Sequence, residues 1–259
     1  MSEHDTPFER IKTRPAYEQV AEAIERNILS GRLRPGDPIG TEQELVRQFG
    51  VNRSTVREGI RLLERTGLIT REPSRRLSVA VPHYDRLSTR MTRALILQQV
   101  TFRELWHTSW ALEHAAVAQA VENRTEDDLD ALAKNVAHTR KHGRNTAVVV
   151  ECDAEFHRLM AEAAHNRILL LAKEPSSLLV RPTTGHIIRH NRAGIPRLIE
   201  AHAQLVDALQ RRDKEAALLW VGRHLRDWKA GFEKSGFDLD SPIPAEQTLG
   251  ETVSEFAGS

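Results

Sequence analysis

The chain has 259 residues, with 37 basic and 36 acidic side chains and a formal net charge of +1, so its overall charge points to no polyanionic partner. That length suffices for two domains, and the single cysteine, Cys152, excludes an internal disulfide and fits a reducing compartment. No apolar run approaches the roughly 18 residues of a membrane span, and the opening "MSEHDTPFER" has no signal-peptide core, so a cytoplasmic protein without membrane contact is expected.

In chain order, "AYEQVAEAIERNILSG" (16–31) places Val20, Ala23, Ile24 and Ile28 on one helical face and stops at a glycine. "RLRPGDPIG" reads as a turn-rich loop. "TEQELVRQFG" opens with Thr41 three residues before Glu44, a capping-box pattern, and closes at Gly50. "VNRSTVREGIRLLERTG" offers a cap at Asn52 and an apolar face of Val56, Ile60 and Leu63. "LITREPSRRLSVAV" reads as two short strands around a loop. Helix, helix, helix and β-ribbon in this order, with a short Gly-containing turn between the second and third helices, is the helix-turn-helix pattern.

"PHYDRLS" (82–88) reads as a linker between a first domain at 12–81 and a second at 89–235. Beyond the linker the periodicity is helical, with breaks at "ENRTEDD", "HGRNT", "AHNR", "RPTTGH" and "RAGIP". Six or seven helices over this length fit an antiparallel bundle. From Gly236 to Ser259 the composition is that of a loose tail. The expected fold is therefore mainly α: an N-terminal winged helix-turn-helix of three helices and a small β-ribbon, then an all-α antiparallel bundle.

Between Arg53 and Arg76 stand seven arginines against Glu58, Glu64 and Glu72, a local excess that the global balance hides. A helix entering the major groove needs short polar side chains and arginines in its first turns. Asn52, Arg53, Ser54, Thr55 and Arg57 supply them. Asn52 and Ser54 also have a plainer role as helix caps.

In the bundle, Asp153 and His157 stand at i and i+4 in "VECDAEFHRLM", on one helical face. His202 precedes Asp213 by eleven residues and His224 follows it by eleven, so a hairpin turning near Arg212 and Asp213 sets both imidazoles at one height. One carboxylate and three imidazoles suit a borderline divalent cation. Each of these residues taken singly fits an ordinary surface or core role equally well.

The stretch "ILSGRLRPGDPIGTEQELVRQFGVNRSTVREGIRLLERTGLI" closely resembles the winged helix of GntR-family transcription regulators, and the helical remainder resembles the FadR-like (FCD) branch. The resemblance implies that Arg53, Thr55 and Arg57 contact a double-stranded DNA operator, with Asn52 and Ser54 supporting. It implies a homodimer and a small-molecule effector, with a carboxylate as the expected class. It implies that Asp153, His157, His202 and His224 hold a divalent ion, zinc first, with nickel or manganese as alternatives. Three departures stand out: Gln43 replaces a frequent basic residue, "PSRR" replaces a Gly-rich wing tip, and Ser109 replaces an arginine that precedes Glu113 by four residues. Arg75 and Arg76 are candidates for the minor groove. Trp106, His107 and Ser109 are candidates for the effector pocket.

The reading is a ligand-responsive repressor. A metal-dependent hydrolase built on the Asp/His cluster is the alternative, but it lacks an identifiable general base, and no nucleophile elbow, P-loop or dinucleotide fingerprint appears.

Overall fold

The computed structural model describes residues 14–72, 76–81 and 84–243, with backbone alone for 84–89. The chain divides into two compact units after residue 83.

In the first unit, α1 (Ala16–Leu29) buries Val20, Ala21 and Ile24. It lies so close to α3 (Arg53–Thr66) that a Cβ on Gly59 would stand 2.9 Å from the Tyr17 carbonyl. α2 (Glu42–Phe49) begins with the expected box: the Thr41 hydroxyl accepts from the Glu44 amide and the Glu44 carboxylate accepts from the Thr41 amide. It ends at Gly50, whose φ of 66° is the left-handed conformation glycine reaches at little cost. Val56, Ile60 and Leu63 of α3 close a core with Val20, Ile24, Leu45 and Leu77.

The ribbon strands β2 (Ile69–Arg71) and β3 (Leu77–Val79) pair antiparallel, Thr70 opposite Ser78. A third strand, β1 (Pro38–Gly40), flanks β3, giving the order β1-β3-β2. The sequence reading takes this segment for loop. Its two prolines and glycine hide a strand that is short, lies at the sheet edge and contains an irregularity in register.

The second unit holds α4 (Tyr84–Leu97), α5 (Phe102–Asn123), α6 (Glu126–Lys141), α7 (Thr146–Ala163) and α8 (Arg167–His190). A 3-10 turn, Arg192–Gly194, leads into α9 (Ile195–Gln210) and α10 (Lys214–Lys234). Side chains cap the first turns of α5, α6, α7, α8 and α10, from Thr101, Thr125, Asn145, Asn166 and Asp213. Val117, Leu132, Phe156, Leu205, Leu209 and Val221 bring five of these helices onto one core.

Three expectations change here. No break occurs at "RPTTGH", because α8 runs through both Pro175 and Pro182. The hydroxyls of Ser176, Ser177 and Thr183 donate to the carbonyls of Lys173 and Leu179 beside those prolines. Burial of Leu179, Pro182 and Thr184 then overrides a local penalty of about 3 kcal/mol per proline. Of the expected linker, residues 84–88 belong to the first turns of α4, while 82 and 83 lie outside the described residues. Residues 236–243 of the expected tail are packed: Leu239 and Ile243 are buried, and Ile243 donates its amide to the Val100 carbonyl at 2.9 Å. Residues 244–259 lie outside the described residues.

Candidate functional sites

In the first unit, the N-terminus of α3 is built by Asn52, whose Oδ1 accepts from the Thr55 amide at 2.8 Å and from the Ser54 hydroxyl at 2.7 Å. Asn52 thus caps the helix while Ser54 steadies its capping oxygen, and Thr55 is half-buried. Arg53 and Arg57 project outward, their side chains 75% and 53% exposed. Glu42, at the start of α2, sits 3.5 and 3.7 Å from their Nε atoms and 3.2 Å from Arg71. One carboxylate therefore holds three guanidinium groups on one face. Arg61 pairs with Glu58 at 2.5 Å, and Arg65 is exposed in the last turn of the helix. Arg76 is exposed at the foot of β3, and Arg75 lies outside the described residues. Gln43 lines the same surface hollow as Arg53, Arg57 and Arg71.

In the second unit, α7 supplies Asp153 and His157, α9 supplies His202 and α10 supplies His224. One donor atom from each lies within 4.8 Å of all the others. His157 Nε2 is 3.1 Å from His224 Nε2, and Asp153 Oδ1 is 3.5 Å from His202 Nε2. Phe156 lies flat on the His202 ring, with centroids 3.7 Å apart, and fixes its plane.

The donor atoms of Asp153 and His202 are not satisfied within the protein. Asp153 Oδ1 and both His202 nitrogens are buried without a hydrogen-bond partner. Burial of unpartnered polar atoms is costly, and Asp153 Oδ1 facing His202 Nε2 at 3.5 Å fits a cation that the protein does not itself supply. Burial pushes the His202 and His224 imidazoles down, the latter to about 3, aided by the neighbouring imidazoles, so both are neutral donors at pH 7. Burial also pushes the Asp153 carboxyl up, against the pull of His157. At His157 burial acts downward, but the nearby Glu113 carboxylate more than reverses it.

Glu113 and Lys173 were not expected here as partners of the cluster. Glu113 Oε2 is 3.1 Å from His157 Nδ1, and its Oε1 accepts from Lys173 Nζ at 2.6 Å. Burial raises the Glu113 carboxyl, but His157 and Lys173 together hold it well below the usual carboxylate range. A sequence signal for Lys173 exists: it is the one cation in the apolar run "ILLLAKEPSSLL".

A cavity of about 90 Å³ adjoins the cluster, bounded by Asp153, His157 and His224 together with Glu113, Lys173 and Ser109. Of the three pocket candidates only Ser109 lines it. Trp106 donates its indole N–H to the Leu225 carbonyl at 3.0 Å, and His107 is exposed. Cys152 is buried as a free thiol.

A winged helix with an arginine-bearing third helix, in one chain with a helical bundle, defines a DNA-binding transcription regulator. The family described as "Bacterial regulatory proteins, gntR family" matches residues 16–79, and the "FCD domain" matches 104–227. The chain belongs to the GntR family, in its FCD branch.

The HTH-type transcriptional repressor NanR of Cronobacter sakazakii is 27% identical over 229 residues, covering 84% of this chain and 86% of the relative. NanR of Escherichia coli is 26% identical over 225 residues, covering 85% of each. The uncharacterized HTH-type regulator YdhC of Bacillus subtilis is 27% identical over 224 residues, covering 84% of this chain and 91% of its own length. Among solved structures, Streptococcus agalactiae GntR shares the fold, with a TM-score of 0.58 at 22% identity over 83% of this chain and 99% of its own. The family and these relatives are transcription regulators, so the hydrolase alternative falls away. Among the described residues no helix is long and apolar enough to cross a membrane.

Proposed function

We propose that the chain is a metabolite-responsive repressor that binds an operator as a homodimer and carries one divalent ion per bundle. The observation that carries the metal reading is the convergence of Asp153, His157, His202 and His224 within 4.8 Å, with Asp153 Oδ1 and both His202 nitrogens unpartnered. When bound, the ion supplies a Lewis-acidic position at which a small carboxylate completes the coordination. The chain's own residues do the rest. Phe156 sets the His202 plane, Glu113 sets the His157 ring, and the cavity beside them admits the effector.

On the DNA side, Arg53, Thr55 and Arg57 meet base edges and phosphates, while Asn52 and Ser54 hold the helix start in shape. Arg75 and Arg76 belong to the wing and follow the backbone or enter the minor groove. Two copies place two such helices about one DNA turn, or roughly 34 Å, apart. The repressor sense follows the relatives named as repressors.

The test is a gel shift with DNA from upstream of the chain's own gene, run on zinc-loaded and on metal-stripped protein, each with and without pooled small carboxylates. Specific retardation that the pool releases supports the proposal. Retardation indifferent to both metal and pool contradicts the ligand-responsive part.

A further inference from the structure

The charges around the cavity are almost all committed to one another. Lys173 Nζ is 2.6 Å from Glu113 Oε1 and also donates to the His157 carbonyl at 3.2 Å, with its side chain only 5% exposed. Arg197 also lines the cavity, but it is half-exposed and faces the Asp227 carboxylate at 3.3 Å. Apart from the metal ligands themselves, the cavity therefore offers, among the described residues, no cation free of a carboxylate. Three neutral groups on its wall are free instead. Ser109 Oγ, Thr184 Oγ1 and Trp228 Nε1 are all buried without a hydrogen-bond partner.

A second carboxylate on a ligand would be desolvated near Asp153 and Glu113 with no counter-charge, which is costly. A hydroxyl or carbonyl oxygen can instead accept from the indole N–H and exchange hydrogen bonds with the serine. A cavity of about 90 Å³ has room for about three waters at their share of liquid volume, so the ligand is small. We infer that the effector is a small monocarboxylate bearing a neutral hydrogen-bonding group, and that Ser109 sets its preference over dicarboxylates. This rests on the metal-and-effector reading above and adds the charge class and the residue that selects it.

Glycerate and malonate are nearly equal in size and differ in one carboxylate, so they separate charge from shape. Full-length protein, first shown by elemental analysis to carry one zinc per chain, is titrated calorimetrically with glycerate, lactate, malonate and succinate. Glycerate and lactate are expected to bind at least about tenfold more tightly than the two dicarboxylates. Ser109→Arg should raise malonate affinity by on the order of tenfold and lower that of glycerate. Ser109→Ala, a smaller change that the buried site accommodates, should weaken glycerate several-fold and leave malonate unchanged. Dicarboxylates binding the wild type as tightly as the monocarboxylates would overturn this inference while the effector reading stood. If none of the four binds metal-loaded protein, the carboxylate reading fails and the inference fails with it.

Discussion

Glu113 approaches His157 from the ring nitrogen opposite the one that faces the cluster: its Oε2 is 3.1 Å from Nδ1, while Nε2 is the atom near Asp153 and His224. A carboxylate behind a ligating imidazole fixes the ring's orientation and tautomer and raises its basicity. Glu113→Gln keeps all four candidate ligands and should still lower metal affinity by about 10- to 100-fold, measured by competition with a zinc chelator. Affinity equal to the wild type would remove Glu113 from the site.

The same carboxylate is paired with Lys173, both side chains being less than a tenth exposed. Removing one partner leaves a buried charge alone. Lys173→Met should therefore cost about 3–5 kcal/mol in bundle stability by denaturant titration. Adding Glu113→Gln to it should recover much of that loss. A double variant no more stable than Lys173→Met alone would show that packing, not charge, is what the lysine provides.

Arg53 and Arg57 share Glu42 and stand free of the helix cap, whereas Arg65 lies in the last turn of α3. Arg53→Ala and Arg57→Ala should each weaken specific operator binding by about 1–3 kcal/mol at fixed salt. Arg65→Ala should change it little. Equal losses at Arg57 and Arg65 would mean that a different part of the helix enters the groove.

Residues 236–243 cross α5 with one exposed ion pair and two buried apolar anchors. Arg103 and Asp240 form a two-pronged pair, but both are about half exposed. Asp240→Ala should therefore cost less than about 1 kcal/mol. Leu239→Ala removes a side chain packed with Phe102, Ile187 and Phe232 and should cost about 2–5 kcal/mol in the same thermal or denaturant melt. The reverse order would assign the segment's hold to charge rather than burial.

Much of this is legible in the sequence alone. Thr41 with Glu44, Asn52 at the start of α3, and the glycines at 50 and 67 marked α2 and α3, because caps are local chemistry. The spacing of His202 and His224 about Asp213 placed both on a hairpin, since the turn lies between α9 and α10 as expected. What escaped notice depends on contacts distant in sequence. β1 is a strand only because β3 lies beside it. α8 tolerates Pro175 and Pro182 because its neighbours hold it. Lys173 meets Glu113 across 60 residues of chain, and no periodicity reports such a pairing.

The central claim is that Asp153, His157, His202 and His224 hold one divalent ion. The most direct measurement is elemental analysis of protein purified without chelator or nickel resin, followed by titration of stripped protein with zinc, nickel and manganese. The account predicts about one ion per chain and loss of the ion in His202→Ala; affinity should fall as pH drops through the raised range of His157, because burial keeps His202 and His224 neutral to much lower pH. That variant should also melt earlier in the bundle while the winged helix, whose core contains none of these residues, stays folded. Stripped wild-type protein that takes up none of the three metals, with a melt identical to that of His202→Ala, would contradict it.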